Sequence, residues 1–385
     1  MSLYLDNAAT TKVDPKVLES MIPFLSGTYG NPSSIHSFGR ESKAAIEKSR
    51  KKVAELLNTS PSSIFFTSGG TEADNFAIVR SIQQFNIKKA ITSPLEHHAV
   101  LHTLQYLNKI GEIELELLEV DQTGNLNLDQ LSKCLESDQP AFVSLMHGNN
   151  EIGNLYPVHE IAEKVKAGNG IFHSDTVQTV GHFRHDLSKW KTDFMVGAGH
   201  KFHGPKGVGF LYVSPNVKIL PLIHGGAQER NMRGGTENIA GIIGLATALD
   251  IAYSEMDAHK SHIEGLKSLM IKRLKEEIAD VQFNGESGNL EKSLYTVLNV
   301  SLPQSEINEM LIFNLDIHKI CASGGSACSS GSELGSHVLR GINADYNRGA
   351  VRFSFGKFNT KEEIETAVQV LAKMYRQKEV VLQRV

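Results

Sequence analysis

The chain has 385 residues, 41% of them hydrophobic and 21% charged, with a formal net charge of −4. That is an ordinary globular composition, long enough for a large core and two domains, and its charge leaves no basic footprint for nucleic acid. No apolar run is long enough to span a bilayer, and the opening Met1-Ser-Leu-Tyr-Leu-Asp6 lacks the basic and apolar regions of a secretory signal.

The three cysteines, Cys134, Cys321 and Cys328, are too few and too unevenly placed for a disulfide framework. A reducing cytoplasm is the expected setting, where a lone thiol can be catalytic. In chain order, a Gly/Ser-rich loop at 26–34 comes first, followed by a helix over 42–57 with Ile46, Val53, Leu56 and Leu57 at helical spacing. From about 62 to 213, short apolar runs at 64–66, 89–91, 113–118, 141–146, 170–173, 193–196 and 209–213 alternate with helical segments such as 158–167. This alternation predicts an α/β fold with a mostly parallel sheet and helices on both faces. Ligands of such sheets sit at the carboxyl ends of the strands.

The polar groups cluster just after those runs. Ser68-Gly69-Gly70-Thr71-Glu72 joins a strand to a helix over 73–82; it is either a phosphate cradle or a glycine turn with a threonine cap. Glu96-His97-His98 offers an imidazole to stack on a flat ring and move protons. The alternatives there are a surface histidine, above all His98, and a zinc set of His97, His98, His200 and His203, whose spacing matches no known ligand pattern. Asn149-Asn150 and Gln178 offer side-chain amides; Asn149 reads as a turn residue. Asp175 ends an apolar run, where a carboxylate needs a partner. Lys201 follows a strand and His200, whereas Lys206 sits in a Gly-Pro-Lys-Gly turn.

After about 257 the texture changes to longer helices. Thr360 and Glu363 form a capping box before Ile364, Val368 and Leu371. The expected division is a large domain over 14–257, and a small α+β domain of 1–13 plus 258–385 that carries a loop at about 322–336. Within that loop Cys328 is flanked by small polar residues, which reads as a nucleophile more readily than as an incidental thiol. Arg348 and Arg352 lie at strand spacing; either suits a substrate carboxylate or a surface ion pair.

A lysine amine, a carboxylate and an anion cradle are the three parts that hold pyridoxal phosphate: one for the covalent link, one for the ring nitrogen, one for the phosphate. Lys201, Asp175 and the Gly70–Thr71 turn supply them.

These residues resemble the pyridoxal-phosphate-dependent cysteine desulfurases of the class V aminotransferase group, fold type I. The similarity runs nearly end to end, through Tyr4-Leu-Asp-Asn-Ala-Ala-Thr-Thr11, Gly30-Asn-Pro-Ser-Ser34, Phe66-Thr-Ser-Gly-Gly-Thr-Glu-Ala-Asp-Asn75, Glu96-His97 and Asn149-Asn-Glu-Ile-Gly153. It continues through His173-Ser-Asp-Thr-Val-Gln178, Gly199-His-Lys201, Met232-Arg-Gly-Gly-Thr-Glu237 and Gly325-Ser-Ala-Cys-Ser329. The long Gly/Ser-rich cysteine loop is similar to that of the branch serving iron–sulfur cluster assembly and nitrogenase maturation.

The resemblance implies that Lys201 holds the cofactor, Asp175 pairs with its ring nitrogen, and Asn150 and Gln178 meet the ring hydroxyl. It gives His97 a stacking and acid/base role, and Gly70, Thr71 and His200 the phosphate. Thr236 would reach the neighbouring subunit's phosphate, which implies a homodimer with shared sites. Arg352, with Asn31, would hold the substrate carboxylate, and Cys328 would carry sulfur from L-cysteine as a persulfide to an acceptor such as an iron–sulfur scaffold protein. No metal, nucleic acid or membrane partner is expected.

Two positions depart from the family pattern: Ala198 stands where many relatives carry a phosphate-binding hydroxyl, and the sequence stops at Val385, before the longer tail of housekeeping relatives. Three other readings stay open: another class V enzyme such as an aminotransferase or selenocysteine lyase, a non-catalytic sulfur-handling platform, and a histidine-bound metal hydrolase.

Overall fold

The apolar runs of the first half do become strands. The computed structural model describes residues 2–137, 139–324 and 335–376; Cys328 lies outside them. The chain begins with β1 (Leu3–Tyr4), α1 (Pro15–Ser26) and α2 (Ser37–Leu56). It then alternates β2 (Ile64–Thr67), α3 (Gly70–Gln84), β3 (Lys89–Thr92), α4 (His98–Lys109), β4 (Glu114–Leu117), α5 (Leu128–Cys134), β5 (Ala141–Ser144), α6 (Val158–Ala167), β6 (Ile171–Asp175), β7 (Phe194–Ala198) and β8 (Gly209–Val213).

Strands β2 to β8 form one sheet in the order β2-β8-β7-β6-β5-β3-β4. All neighbours pair in parallel except β8, which runs antiparallel to β2 and β7. The connection 199–208 is shorter than the dozen or so residues a parallel crossover needs, so β8 returns as a hairpin. The inner strands β5, β7 and β8 are buried on both faces, as near-continuous apolar runs require. The edge strand β4 instead alternates Glu114 and Glu116 with leucines, and these charges discourage pairing with another chain.

Helix α1 was not legible as a run of core residues. Asp14 caps it by accepting from Lys16 N, Pro15 sits in its first turn, and of its apolar residues Leu18, Ile22 and Leu25 stay exposed. Helix α7 (Ile239–Ser254) packs against α1 and α2, and is apolar almost all round because it is buried almost all round.

The remainder comprises α8 (Met256–Glu277), β9 (Gln282–Phe283), β10 (Val297–Gln304), α9 (Leu311–Ile317), β11 (Ile320–Cys321), α10 (His337–Gly341), β12 (Arg348–Ser354) and α11 (Lys361–Arg376). An antiparallel sheet β12-β10-β9 packs with α8 and α11 around a separate core that includes Leu5 from the N-terminus. The N-terminus is tied there because β1 pairs with β11. Thr360 and Glu363 make the expected capping box: Glu363 N donates to Thr360 Oγ1 at 3.3 Å, and Thr360 N donates to Glu363 Oε2 at 3.1 Å.

One buried ion pair holds the segment before α7. Arg50 of α2 meets Glu229 through two bonds of 2.7 and 2.8 Å, with side chains 3% and 2% exposed. Glu229 also accepts from Phe66 N. Glu229→Gln removes the buried counter-charge of Arg50, leaving only the partly exposed Glu47 at 3.1 Å, and is expected to cost roughly 3–5 kcal/mol of unfolding free energy. Denaturant titration reads this directly; an unchanged midpoint would mean that the pair does not hold this segment.

Candidate active site

At the carboxyl ends of the parallel strands lies a cavity of about 230 Å³. Each wall comes from a residue just past a strand or at a helix start: Gly70 and Thr71 after β2, His97 before α4, Asn150 after β5, Asp175 and Gln178 at and after β6, and Ala198, His200 and Lys201 at and after β7. Arg352 of β12 and the backbone of Ala8 and Ala9 close the other side.

Lys201 ends a 3₁₀ turn, Gly199–Lys201, that reverses the chain out of β7. Its Nζ donates to Ala8 O at 2.5 Å and to Ala9 O at 3.0 Å. Lys206 is exposed and lines no part of the cavity. The competition between the two lysines is thus decided by position.

Asp175 is 7% exposed and accepts from Val177 N at 2.9 Å. One ligand-type atom each from Asp74, His97 and Asp175 fall within 4.8 Å of one another. Burial, then the charges of Asp175 and Glu96, push the Asp74 carboxyl well above the usual range. Burial and Asp175 do the same to Glu96. Behind them His173, pulled down to about 3 by burial, shares a bond with Ser144 Oγ at 2.8 Å and faces Asp74 at 3.4 Å.

His97 serves as the N-cap of α4: its Nδ1 accepts from Ala99 N at 3.2 Å. In the neutral ring the proton therefore sits on Nε2. Burial holds His97 below the ordinary imidazole range, against the opposing charge of Asp175.

The other end of the cavity suits an anion. The N-cap of α3 is Gly69, which brings no side chain to the first-turn N–H groups. At Gly70 a Cβ would come within 2.8 Å of Val177 Cγ2, so only glycine leaves this wall open. Thr71 adds a hydroxyl. His200, pulled down to about 4 by burial and then by the Lys201 charge, shares a bond with Thr10 Oγ1. Ala198 offers only a methyl, as the sequence implied.

Gln178 donates from Nε2 to Ala8 O at 3.1 Å. Arg352 is 1% exposed; Nη1 donates to Asn150 O at 2.9 Å and Nη2 pairs with Asp6 at 2.8 Å. Its Nε has no protein partner among the described residues. Of the two arginines, Arg352 is the one at the cavity; Arg348 pairs with Asp280.

Not every expected residue converges. Asn31 is exposed, accepts from Ser33 N, and lines no part of this chain's cavity. Its loop folds back on itself, so the expected proximity to Arg352 is not found within one chain. Thr236 is also exposed and outside the cavity. The zinc set is dispersed: His203 bonds to Lys12 O, and the half-buried His98 turns to His337. Asn149 is the expected turn residue, its Oδ1 accepting from Glu151 N and Ile152 N.

Asp74 is the residue the sequence reading passed over. An acid among Ala73, Phe76 and Ala77, on the buried face of a helix, was the available signal.

A carboxylate pole, a lysine amine and an uncapped helix start fit a molecule with a basic ring nitrogen, an aldehyde and a phosphate. Residues 3–367 match the family model described as aminotransferase class-V. The chain is 43% identical over 376 residues to the cysteine desulfurase IscS of Dictyoglomus turgidum, covering 97% of this chain and 94% of that protein. Among solved structures it is similar to a NifS-like protein (38% identity, TM-score 0.90, 98% and 100% of the two chains). It is also similar to a structure described as SspA in complex with cysteine (29% identity, TM-score 0.80, 93% and 100%). By this match in sequence and fold, the chain belongs to the class V aminotransferase family and, within it, to the pyridoxal-phosphate-dependent cysteine desulfurases.

Proposed function

We propose that the cavity holds pyridoxal 5'-phosphate and that the chain converts L-cysteine to L-alanine, passing the sulfur to Cys328 for delivery to an acceptor of the iron–sulfur assembly type. The observation that carries this is the convergence of Lys201, Asp175 and His97 opposite the open start of α3. When bound, the cofactor acts as an electron sink for the substrate's α-carbon.

The protein's own residues do the rest. Lys201 Nζ, held between two backbone carbonyls, would hold the cofactor at its aldehyde carbon, the carbonyl oxygen leaving as water. Asp175 keeps the ring nitrogen protonated, while burial disfavours the charged forms of Asp74 and Glu96 beside it. Gly70, Thr71 and His200 meet the phosphate, and Asn150 and Gln178 the ring hydroxyl. His97 packs on the ring and offers the proton of its Nε2, with Nδ1 occupied as a helix cap. The Arg352 guanidinium binds the substrate carboxylate, with Nε as the donor that no group among the described residues takes. The Cys328 thiolate attacks the substrate sulfur: a sulfur–sulfur bond forms, the substrate carbon–sulfur bond breaks, and its electron pair returns to the carbon skeleton, which takes up a proton as alanine. Cysteine plus enzyme thiol thus gives alanine plus enzyme persulfide.

A homodimer is part of this reading. It is supported by the exposed apolar set Leu18, Ile22, Leu25, Tyr29, Ile35 and Phe38, and by Thr236, which stands exposed outside its own chain's cavity. Thr236 then serves the partner's phosphate. The division into units 14–257 and 1–13 plus 258–385 is supported by the separate core around Leu5, β10 and α11.

Asp175→Asn tests the central assignment. An amide cannot hold the ring nitrogen protonated, so alanine formation from L-cysteine is expected to fall on the order of 10²-fold or more, with cofactor still bound. A near-wild-type turnover number would remove Asp175 from this role.

A further inference from the structure

Three histidines meet beside α4; none of them lines the cavity, although the His98 ring lies 6.3 Å from that of His97. His98 and His102 stand one turn apart, the i, i+4 spacing that sets two imidazoles on one helix face. Their rings stack at 4.4 Å with 14° between planes. The third, His337, opens α10, and its Nδ1 faces His98 Nε2 at 3.0 Å. On the far side of its ring, His337 Nε2 bonds to the carbonyl of Glu96 at 2.9 Å. A carbonyl only accepts, so Nε2 carries the proton of the neutral ring and Nδ1 presents a lone pair towards His98. A backbone carbonyl on the rear nitrogen is the outer-shell bond that orients a metal-ligating histidine.

We propose that His98, His102 and His337 form a binding site for a divalent transition metal of the zinc, nickel or copper class. Two zinc–nitrogen bonds at a tetrahedral angle separate their nitrogens by about 3.3 Å. The observed 3.0 Å therefore lets a metal replace the proton between His98 and His337 with little movement. His102 is exposed, so its ring can turn from its stacked position to supply a third nitrogen, and water completes the shell. Neutral nitrogen donors select these metals over magnesium or calcium. The bound ion would tie α4 to α10. Nothing in this site depends on the roles given to the cavity residues.

Zinc titration of the holoenzyme against a chromophoric chelator tests it. One tightly held zinc per chain is expected, with affinity reduced at least about tenfold in His102→Ala and in His98→Gln, since losing a ligand costs no less than losing an outer-shell partner. Zinc should raise the Tm of the wild type and not that of His102→Ala, whose exposed position spares the fold. Cys328→Ser should bind zinc as the wild type does. The proposal is overturned by equal affinity in the wild type and His102→Ala, by loss of the zinc in Cys328→Ser, or by the absence of stoichiometric zinc.

Discussion

Cys328→Ser is expected to keep its cofactor and to lose nearly all release of alanine and sulfide from L-cysteine, a drop on the order of 10³-fold or more. Cys328 lies outside the described residues, yet both ends of its segment are anchored at the cavity wall. Ser323 exchanges backbone hydrogen bonds with Arg352, at 3.2 and 2.6 Å, and donates from Oγ to Asp6. On the other side, Ser336 Oγ donates to Glu151, and His337 bonds to the carbonyl of Glu96, the residue before His97. Cys328 is four residues from Gly324, a chain reach of at most about 14 Å. A serine oxygen cannot accept sulfur at neutral pH, so the chemistry stops at the transfer. Cys134 and Cys321 should tolerate serine with most activity intact: burial raises the pKa of both thiols, and each sits in a helix or strand. Mass spectrometry after brief exposure to cysteine should find one extra sulfur on the Cys328 peptide. Sulfur on Cys321, or desulfuration by Cys328→Ser at the wild-type rate, would contradict the transfer.

Lys201→Ala should abolish turnover, by on the order of 10³-fold or more, because in the proposed function this amine anchors the cofactor. Borohydride reduction of the wild type should fix the cofactor to a peptide containing Lys201, and the variant should yield no fixed cofactor. A fixed adduct on Lys206 instead would overturn the assignment.

The fold was legible where periodicity is strong. The seven runs between 64 and 213 are the seven strands of the main sheet, and the 158–167 helix is found at its expected bounds. Helix α1 was missed because its apolar residues face outward, so no core stripe marks it. The antiparallel β8 follows from connection length, a feature the apolar pattern of the strand itself does not carry.

In the site, Lys201, Asp175, His97 and Gly70 were legible because each ends or closely follows a strand or opens a helix, and strand ends in such sheets face the ligand. Asp74 was not assigned, since an acid within a helix reads as ordinary until packing buries it. Arg352 was found, but not its pairing with Asp6, hundreds of residues away in sequence.

By itself, then, the sequence determined which chemical groups are present and which of them end strands: an amine, a carboxylate, an open glycine turn and a thiol among small residues. Those are local properties, encoded by neighbours and by the spacing of apolar residues. Only the tertiary structure decided which groups share one cavity, which lysine reaches it, that Asp74 and Glu96 are buried beside Asp175 with their carboxyls pushed upward, that Asn31 and Thr236 stand outside their own chain's site, and that His98, His102 and His337 converge. The physical reason is that burial and long-range contact set protonation and partnership, and both arise from how the elements pack together, a quantity no window of sequence contains.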